Sequence, residues 1–330
     1  MNHKVYLVTG AAGFIGFHVA KRLLRNKKNI VVGIDNINNY YSPELKYSRL
    51  RILKYHKNFI FKKIDILKNK KLLNLFEKYK FYKVIHLAAQ AGVRYSLKKP
   101  KTYIYSNILG FFNIIELSKK FRIRHFVYAS SSSVYGSNTN HPFSETSEIN
   151  KPIQIYAATK IANESIAHSY SSLYGLKTSG VRFFSVYGPW GRPDQALFTF
   201  TNQILNNKKI DLFNNGNHTR DFTYIDDLVD GIIKIVNNPP KKKQINILPY
   251  EIFNLGSGKS IKLKKYLYYI EKFLKRKVKI NYLPLQKGDM VDISSDISKA
   301  KKLLSYYPKV QVNEGIKKFL KWYLEFYNQK

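Results

Sequence analysis

The chain of 330 residues contains no cysteine. That excludes disulfides and thiolate metal centres, and it fits a reducing, cytoplasmic compartment. Acidic residues are scarce: 21 Asp and Glu stand against 57 Lys and Arg, a formal net charge of +36. No apolar run approaches the roughly 20 residues that a membrane-spanning helix needs, so no integral membrane contact is expected. The chain enters its first apolar strand at once, without the apolar stretch of a secretory leader, and none is expected. An excess of positive charge can mark a nucleic acid or an anionic surface as partner. Here the lysines are scattered, as at Lys62–Lys63, Lys98–Lys99 and Lys317–Lys318, rather than gathered into a stripe. Lys, Ile, Asn and Tyr, all with A/T-rich codons, crowd the whole chain. Compositional bias therefore accounts for the charge. No nucleic-acid partner and no metal are expected, while the positive field would still attract an anionic substrate.

What is present is organised around residues 4–35, KVYLVTGAAGFIGFHVAKRLLRNKKNIVVGID. VYLVT is short, apolar and β-branched, as a strand buried on both faces is. GAAGFIG follows, then a helix with apolar residues at helical spacing, then the strand IVVGID. This β-turn-α-β unit is the context that a dinucleotide fingerprint requires. Gly10 permits the tight turn, Gly13 lets the backbone approach a pyrophosphate, and Gly16 lets helix and strand pack closely. The helix N-terminus offers N–H groups and the positive end of its dipole to the phosphates. Asp35 closes the second strand, where a carboxylate accepts both adenosine ribose hydroxyls and repels a 2′-phosphate, favouring NAD over NADP.

Further strands are expected at 59–65, 83–89, 125–131 and 177–184, separated by helices that include 101–120 and 156–173. The alternation predicts an α/β protein with a Rossmann-type doubly wound parallel sheet. A smaller C-terminal α/β unit should carry the substrate. The expected division is a nucleotide-binding domain over 1–182 and a substrate domain over 183–330, with 223–256 returning to the first, because EIFNLG reads as a strand of the main sheet. GNHTRDFTYIDDLVDGIIKIV (216–236) reads as a loop leading into a helix. PPKKKQ (239–244) reads as a surface loop.

Tyr156 and Lys160 stand at i and i+4 at the start of a helix and share a face. A phenol ordinarily titrates near pH 10. A neighbouring ammonium and a positively charged nicotinamide would bring it toward neutrality, where it could take a proton from a sugar hydroxyl while hydride leaves the same carbon. The spacing alone also fits a surface pair on a helix. The fifth strand supplies context: SSSSVYG (130–136) lies at its C-terminal end, where ligands bind in open α/β sheets.

In order and spacing, GAAGFIG, HLAAQAGVRYS, SSSSVYG, YAATK, RFFSVYGPWGRPD and TRDFTYIDD resemble the extended short-chain dehydrogenase/reductase family. Within it they are similar to the NAD-dependent nucleotide-sugar epimerases and dehydratases, nearest to the UDP-glucuronate 4-epimerases. The likeness runs through PLQKGDM (284–290) to the last helix. It implies that Gly10, Gly13, Phe14, Ile15 and Gly16 hold the NAD pyrophosphate, and that Asp35 and Asn36 hold the adenosine ribose. Asp65 and Ile66 would face the adenine, and Leu87, Ala88 and Ala89 would line the cofactor. Tyr156 would be the base, Lys160 its partner and Ser131 the catalytic hydroxyl. Arg94, Ser132, Ser133, Ser185, Arg192, Arg220 and Asp289 would contact a UDP-sugar. Arginine suits phosphate and carboxylate through bidentate hydrogen bonds.

Two positions discriminate among such relatives. The 4,6-dehydratases carry Asp-Glu directly before VYG, and UDP-glucuronate decarboxylases tend to carry Glu there; this chain has Ser132 and Ser133. Hydroxyls hold a carboxylate without repelling it. The resemblance therefore implies reversible inversion at carbon 4 of UDP-glucuronate to UDP-galacturonate, through a 4-keto intermediate and tightly bound NAD. A UDP-hexose 4-epimerase or a decarboxylase on the same scaffold is the alternative. Helices 101–120 and 156–173 carry more apolar residues than one sheet face covers, and the resemblance implies a homodimer formed through them.

Overall fold

Along β1 (Lys4–Thr9) successive side chains leave on opposite faces: Tyr6 and Val8 enter one apolar core and Leu7 enters another. That alternation sets the architecture of the computed structural model, which describes residues 3–138, 140–241 and 248–328. Half of the expected surface loop at 239–244 lies outside the described residues.

From β1 the chain passes through α1 (Phe14–Leu24), β2 (Asn29–Asp35), α2 (Pro43–Lys54), β3 (Phe59–Lys63) and α3 (Asn69–Tyr79). It then returns across the sheet through β4 (Lys83–His86), α4 (Val93–Lys98), α5 (Pro100–Tyr103), a π-helical turn (Ile104–Leu109), α6 (Gly110–Lys120), β5 (Phe126–Ser131), α7 (Ile155–Tyr174) and β6 (Thr178–Phe183). The 101–120 segment is helical as expected, but the wider π turn at 104–109 interrupts it.

Beyond β6 come β7 (Ser185–Tyr187), α8 (Ala196–Leu205), β8 (Ile210–Phe213), β9 (Thr219–Tyr224), α9 (Ile225–Asn237) and β10 (Tyr250–Leu255). The chain closes with β11 (Ser260–Lys262), α10 (Leu263–Leu274), β12 (Ile280–Leu283), α11 (Ser298–Leu304) and α12 (Val312–Phe326).

Seven strands form one parallel sheet in the order β10-β6-β5-β4-β1-β2-β3. The direction of winding reverses between β1 and β4, so a crevice opens at their C-terminal ends, where ligands bind in such sheets. Leu45, Leu50 and Leu53 of α2 join α1 and α9 on one face, over Tyr6, Val8, Val31, Ile85 and Val127. α3, α6 and α7 cover the other face, over Leu7, Val32, Val84, Phe126 and Tyr128. The residues from β7 onward add a three-stranded sheet, β11-β9-β7, and a β12-β8 pair over the C-terminal edge. β10 pairs with β6 from Tyr250↔Thr178 onward.

β9 corrects the reading of 216–224 as loop. Its sequence TRDFTY disguises a strand because Asp221 and Thr223, both polar, are buried on it. Burial is tolerated because the Asp221 carboxylate accepts hydrogen bonds from the Ser257 and Gly258 amides and the Ser257 and Ser295 hydroxyls.

Candidate active site

The nucleotide side is built from backbone. Gly10 sits at φ +69°, and a Cβ there would lie 2.9 Å from the Ala88 amide nitrogen. A Cβ on Gly16 would collide with the Gly10 carbonyl oxygen. Gly13 is the N-cap of α1 and offers no side-chain acceptor to its first turn. Together these make a cradle that any side chain would fill, lined next by Phe14 and Ile15. The Thr9 hydroxyl accepts from Leu87 N (3.1 Å) and Ala88 N (3.0 Å), which sets Leu87, Ala88 and Ala89 into the cavity wall.

Asp35 accepts from Ala12 N at 3.2 Å and Ile37 N at 2.9 Å. Burial pushes its carboxyl up; those amides and the charges of Lys46 and Arg49 oppose the rise. Asn36 lines the cavity and donates to Asp65 Oδ2 at 2.9 Å. Of the pair expected to face the adenine, Ile66 lines the wall with Ile64, and Asp65 accepts from Leu67 N and Asn36 Nδ2. A glycine cradle at a helix N-terminus, a buried carboxylate at the end of β2 and an apolar slot beyond it fit NAD.

A second cavity adjoins the first, toward β8 and β9. Tyr156, Ser131, Tyr40 and Arg192 line both. Ser130 lines only the first and donates to Glu164 Oε1 at 2.5 Å, while Glu164 forms a buried ion pair with Arg182 at 2.8 Å. Ser131 Oγ accepts from Ser133 N at 3.2 Å, and Ser131, Ser132 and Ser133 all reach the second cavity.

The expected fall of the Tyr156 phenol toward neutrality invokes a nicotinamide charge that lies outside the protein's own groups. Burial pushes the phenol up, and only the Ser131 hydroxyl and the Arg192 charge pull against that. Lys160 instead donates to the Ala129 carbonyl at 2.9 Å. Burial pushes its ammonium down to about 8, with Glu164 opposing.

All seven residues expected to contact a sugar nucleotide line the second cavity. Its three arginines are already engaged. Arg192 holds Asp194 through Nε at 2.9 Å and Nη2 at 2.6 Å, and the Tyr40 hydroxyl donates to the same carboxylate at 3.0 Å. Arg94 pairs with Asp289 at 3.1 Å and lies over the Phe213 ring. Arg220 donates to the carbonyls of Thr219, Met290 and Val291. Burial lowers Arg220 to about 10, so it stays cationic at neutral pH. Ser185 reaches the cavity from β7.

Sequence reasoning missed Thr9, Lys46, Gln154 and Asp194. Lys46 lines the nucleotide cavity and donates to Asn38 O at 2.6 Å and Asn38 Oδ1 at 2.7 Å. Gln154, two residues before Tyr156, donates to the Gly288 carbonyl and so ties the start of α7 to the segment bearing Asp289. The only signal for Asp194 was its place in the quoted run GRPD.

A family model described as the NAD dependent epimerase/dehydratase family matches residues 6–256. Protein CapI of Staphylococcus aureus is 44% identical over 98% of this chain and 99% of its own. UDP-glucuronate 4-epimerase 3 of Arabidopsis thaliana is 45% identical over 98% of this chain and 77% of its own. The crystal structure of UDP-glucuronic acid 4-epimerase from Bacillus cereus, in complex with UDP-glucuronic acid and NAD, superposes with a TM-score of 0.90 at 33% identity, covering 98% of this chain and all of that one.

Proposed function

The chain belongs to the NAD-dependent epimerase/dehydratase family, and on that premise we propose that it interconverts UDP-glucuronate and UDP-galacturonate by inverting carbon 4 through a 4-keto intermediate. The observation that carries the reading is the seam between the cavities. Tyr156 and Ser131 stand where a nucleotide cradle and a cation-lined cavity meet, which is where a sugar tethered to UDP would lie beside a nicotinamide.

Bound NAD supplies a reversible hydride acceptor at carbon 4. Tyr156 removes the proton of the 4-hydroxyl as hydride leaves carbon 4; after the sugar has turned about its link to UDP, so that hydride would return to the opposite face of carbon 4, Tyr156 gives the proton back to the 4-oxygen. Ser131 shares a hydrogen bond with that hydroxyl. Lys160, anchored at Ala129 O, holds the nicotinamide ribose hydroxyls and keeps positive charge beneath the phenol. The cradle from Gly10 to Gly16 takes the pyrophosphate, Asp35 and Asn36 the adenosine ribose, and Leu87 to Ala89 line the slot. Arg192 and Arg220 bind the diphosphate and Asp289 the uridine ribose. Ser132, Ser133 and Arg94 hold the sugar carboxylate. A β-keto acid loses carbon dioxide readily; fixing the carboxylate by hydrogen bonds, with no acidic side chain at 132 or 133 to protonate a carbanion, disfavours that loss.

A homodimer completes the proposal. In a chain with 57 cations, residues 104–118 contain none. Ile104, Tyr105, Leu109 and Phe112 there are 42 to 54% exposed, and Leu173 and Tyr174 of α7 are 72% and 54% exposed. A large exposed apolar face fits a second copy of the chain better than water. We place the enzyme in the cytoplasm, as the cysteine-free sequence suggests.

The test is an anomeric proton NMR time course with UDP-glucuronate, without and with added NAD. A UDP-galacturonate signal rising to a plateau is the expected result. UDP-xylose or a 4-keto pentose would make the protein a decarboxylase and overturn the reading of the serines.

A further inference from the structure

Arg49 of α2 is wholly buried, yet among the described residues no carboxylate bonds to it. One arm of its guanidinium donates to the carbonyl of Ala12, in the nucleotide turn, at 2.9 Å and to the Tyr41 hydroxyl at 2.7 Å. The other donates to the carbonyls of Trp190 at 2.6 Å and Gly191 at 3.1 Å. A buried cation that spends its donors on neutral carbonyls is costly, and it persists where the groups it joins must stay together.

The groups joined flank the cavities: Ala12 lies in the turn whose Gly10 and Gly13 line the first, and Gly191 directly precedes Arg192, which lines both. Ala12 is held from both ends: its amide goes to Asp35 and its carbonyl to Arg49. On the other side, three successive carbonyls are taken by the nucleotide unit. Pro189 O lies 3.0 Å from His18 Nε2 of α1, and Trp190 O and Gly191 O accept from Arg49. Burial pushes His18 down to about 3, so the ring is neutral and donates from Nε2. Trp190 has φ +64°, a left-handed backbone that a non-glycine residue keeps only when its surroundings enforce it. The next residue after Gly191 is Arg192, which lines both cavities.

We propose that Arg49, seconded by His18, is a positioning residue that couples the nucleotide turn to the 189–192 loop, so that a bound dinucleotide sets Arg192 for the diphosphate of the sugar nucleotide and a bound sugar nucleotide tightens the dinucleotide. The proposal rests on the function assigned above. A ligand that orders the turn fixes Ala12 O, Ala12 O fixes the guanidinium, and the guanidinium fixes the two peptide carbonyls that precede Arg192. The coupling is reciprocal, as linkage requires.

The experiment titrates the full-length protein, freed of nucleotide, with NAD in the absence and presence of saturating UDP. The signal is tryptophan fluorescence: the chain has two tryptophans, and Trp190 is in the coupled loop. In the unmutated protein UDP should tighten NAD about fivefold or more, within the usual range of coupling between sites. In Arg49→Met the affinity for NAD alone should fall about tenfold and the UDP effect should shrink to within about twofold of none. Arg49→Lys keeps the charge but cannot span Ala12 and both loop carbonyls; it should recover part of the NAD affinity and none of the coupling.

Should Arg49→Met not fold, His18→Leu, which frees only Pro189 O, decides the matter by halving the coupling while leaving NAD affinity alone within about twofold. Coupling of undiminished size in these variants, or none in the unmutated protein, overturns the proposal. If NAD binds and the sugar is epimerised but no coupling is seen, only the clamp fails; if NAD does not bind at all, the function assigned above fails with it.

Discussion

The two cavities that meet at Tyr156 are prepared in opposite ways. On the nucleotide side the recognition groups are backbone and glycine: the turn from Gly10 to Gly16, the uncapped first turn of α1, and the peptide edge held by Thr9. On the sugar side they are long cations already paired with the protein itself. Arg192 grips Asp194, Arg94 grips Asp289, and Arg220 is spread over three carbonyls. A preformed cradle binds without giving anything up and suits a cofactor that stays. A self-paired cavity must exchange partners on each turnover, which lowers affinity and speeds release, and suits a substrate that leaves.

The seam gives the largest predicted effect. Tyr156→Phe removes one hydroxyl and neither cavity's binding groups. Turnover should fall about a thousandfold, the usual scale for a general base, while NAD still binds. Turnover within tenfold of the parent refutes the base. Next in size is Gly16→Ala, which drives a Cβ into the Gly10 carbonyl and so tests whether the cradle is rigid. NAD affinity should drop at least about tenfold, measured by titration and by the nucleotide that co-purifies. An unchanged affinity would mean the turn can shift, and the contrast between a stiff cradle and an adaptable cavity would dissolve.

The same contrast explains what was legible in the sequence. The cradle is contiguous, so seven residues and one acid at the end of the next strand expose it. The sugar cavity is assembled across the chain: Arg94 meets Asp289 195 residues away, and Gln154 meets Gly288 134 residues away. Resemblance to a family supplied its arginines and serines; spacing alone had no access to them. Lys46 and Arg49 lie in PELKYSRLRILK, a stretch whose basic residues look alike. Only the fold buries those two and leaves Arg51 and Lys54 to solvent. β9 was hidden for a related reason, since its buried Asp221 is matched by partners more than thirty residues distant.

The lysine at the seam gives a pH signature. Burial holds Lys160 near about 8, well below an ordinary lysine, and the mechanism requires its charged form. The free-enzyme kcat/KM should therefore fall above about pH 8, approaching tenfold per pH unit. Arg220, lowered only to about 10, stays charged across most of that limb. A profile flat from pH 8 to 9.5, at constant ionic strength, would show that the ammonium is not needed and would leave the phenol to the cofactor's charge alone.

The smallest effect is the most direct probe of self-pairing. Asp194→Asn keeps the shape of the side chain and an acceptor for the Tyr40 hydroxyl, and removes the charge that holds Arg192. The Arg192 and Asp194 side chains are 23% and 30% exposed, so the pair is partly screened and is worth about 1 kcal/mol or less. A diphosphate must take Arg192 from Asp194 and also approach that carboxylate, and both costs vanish in the variant. The KM for the sugar nucleotide should therefore fall about two- to fivefold, with kcat within twofold of the parent, the scale that so small an energy allows. A rise in KM would carry the opposite meaning. Asp194 would then be holding Arg192 in the pose that the substrate uses, and the sugar cavity would be as preformed as the cradle beside it.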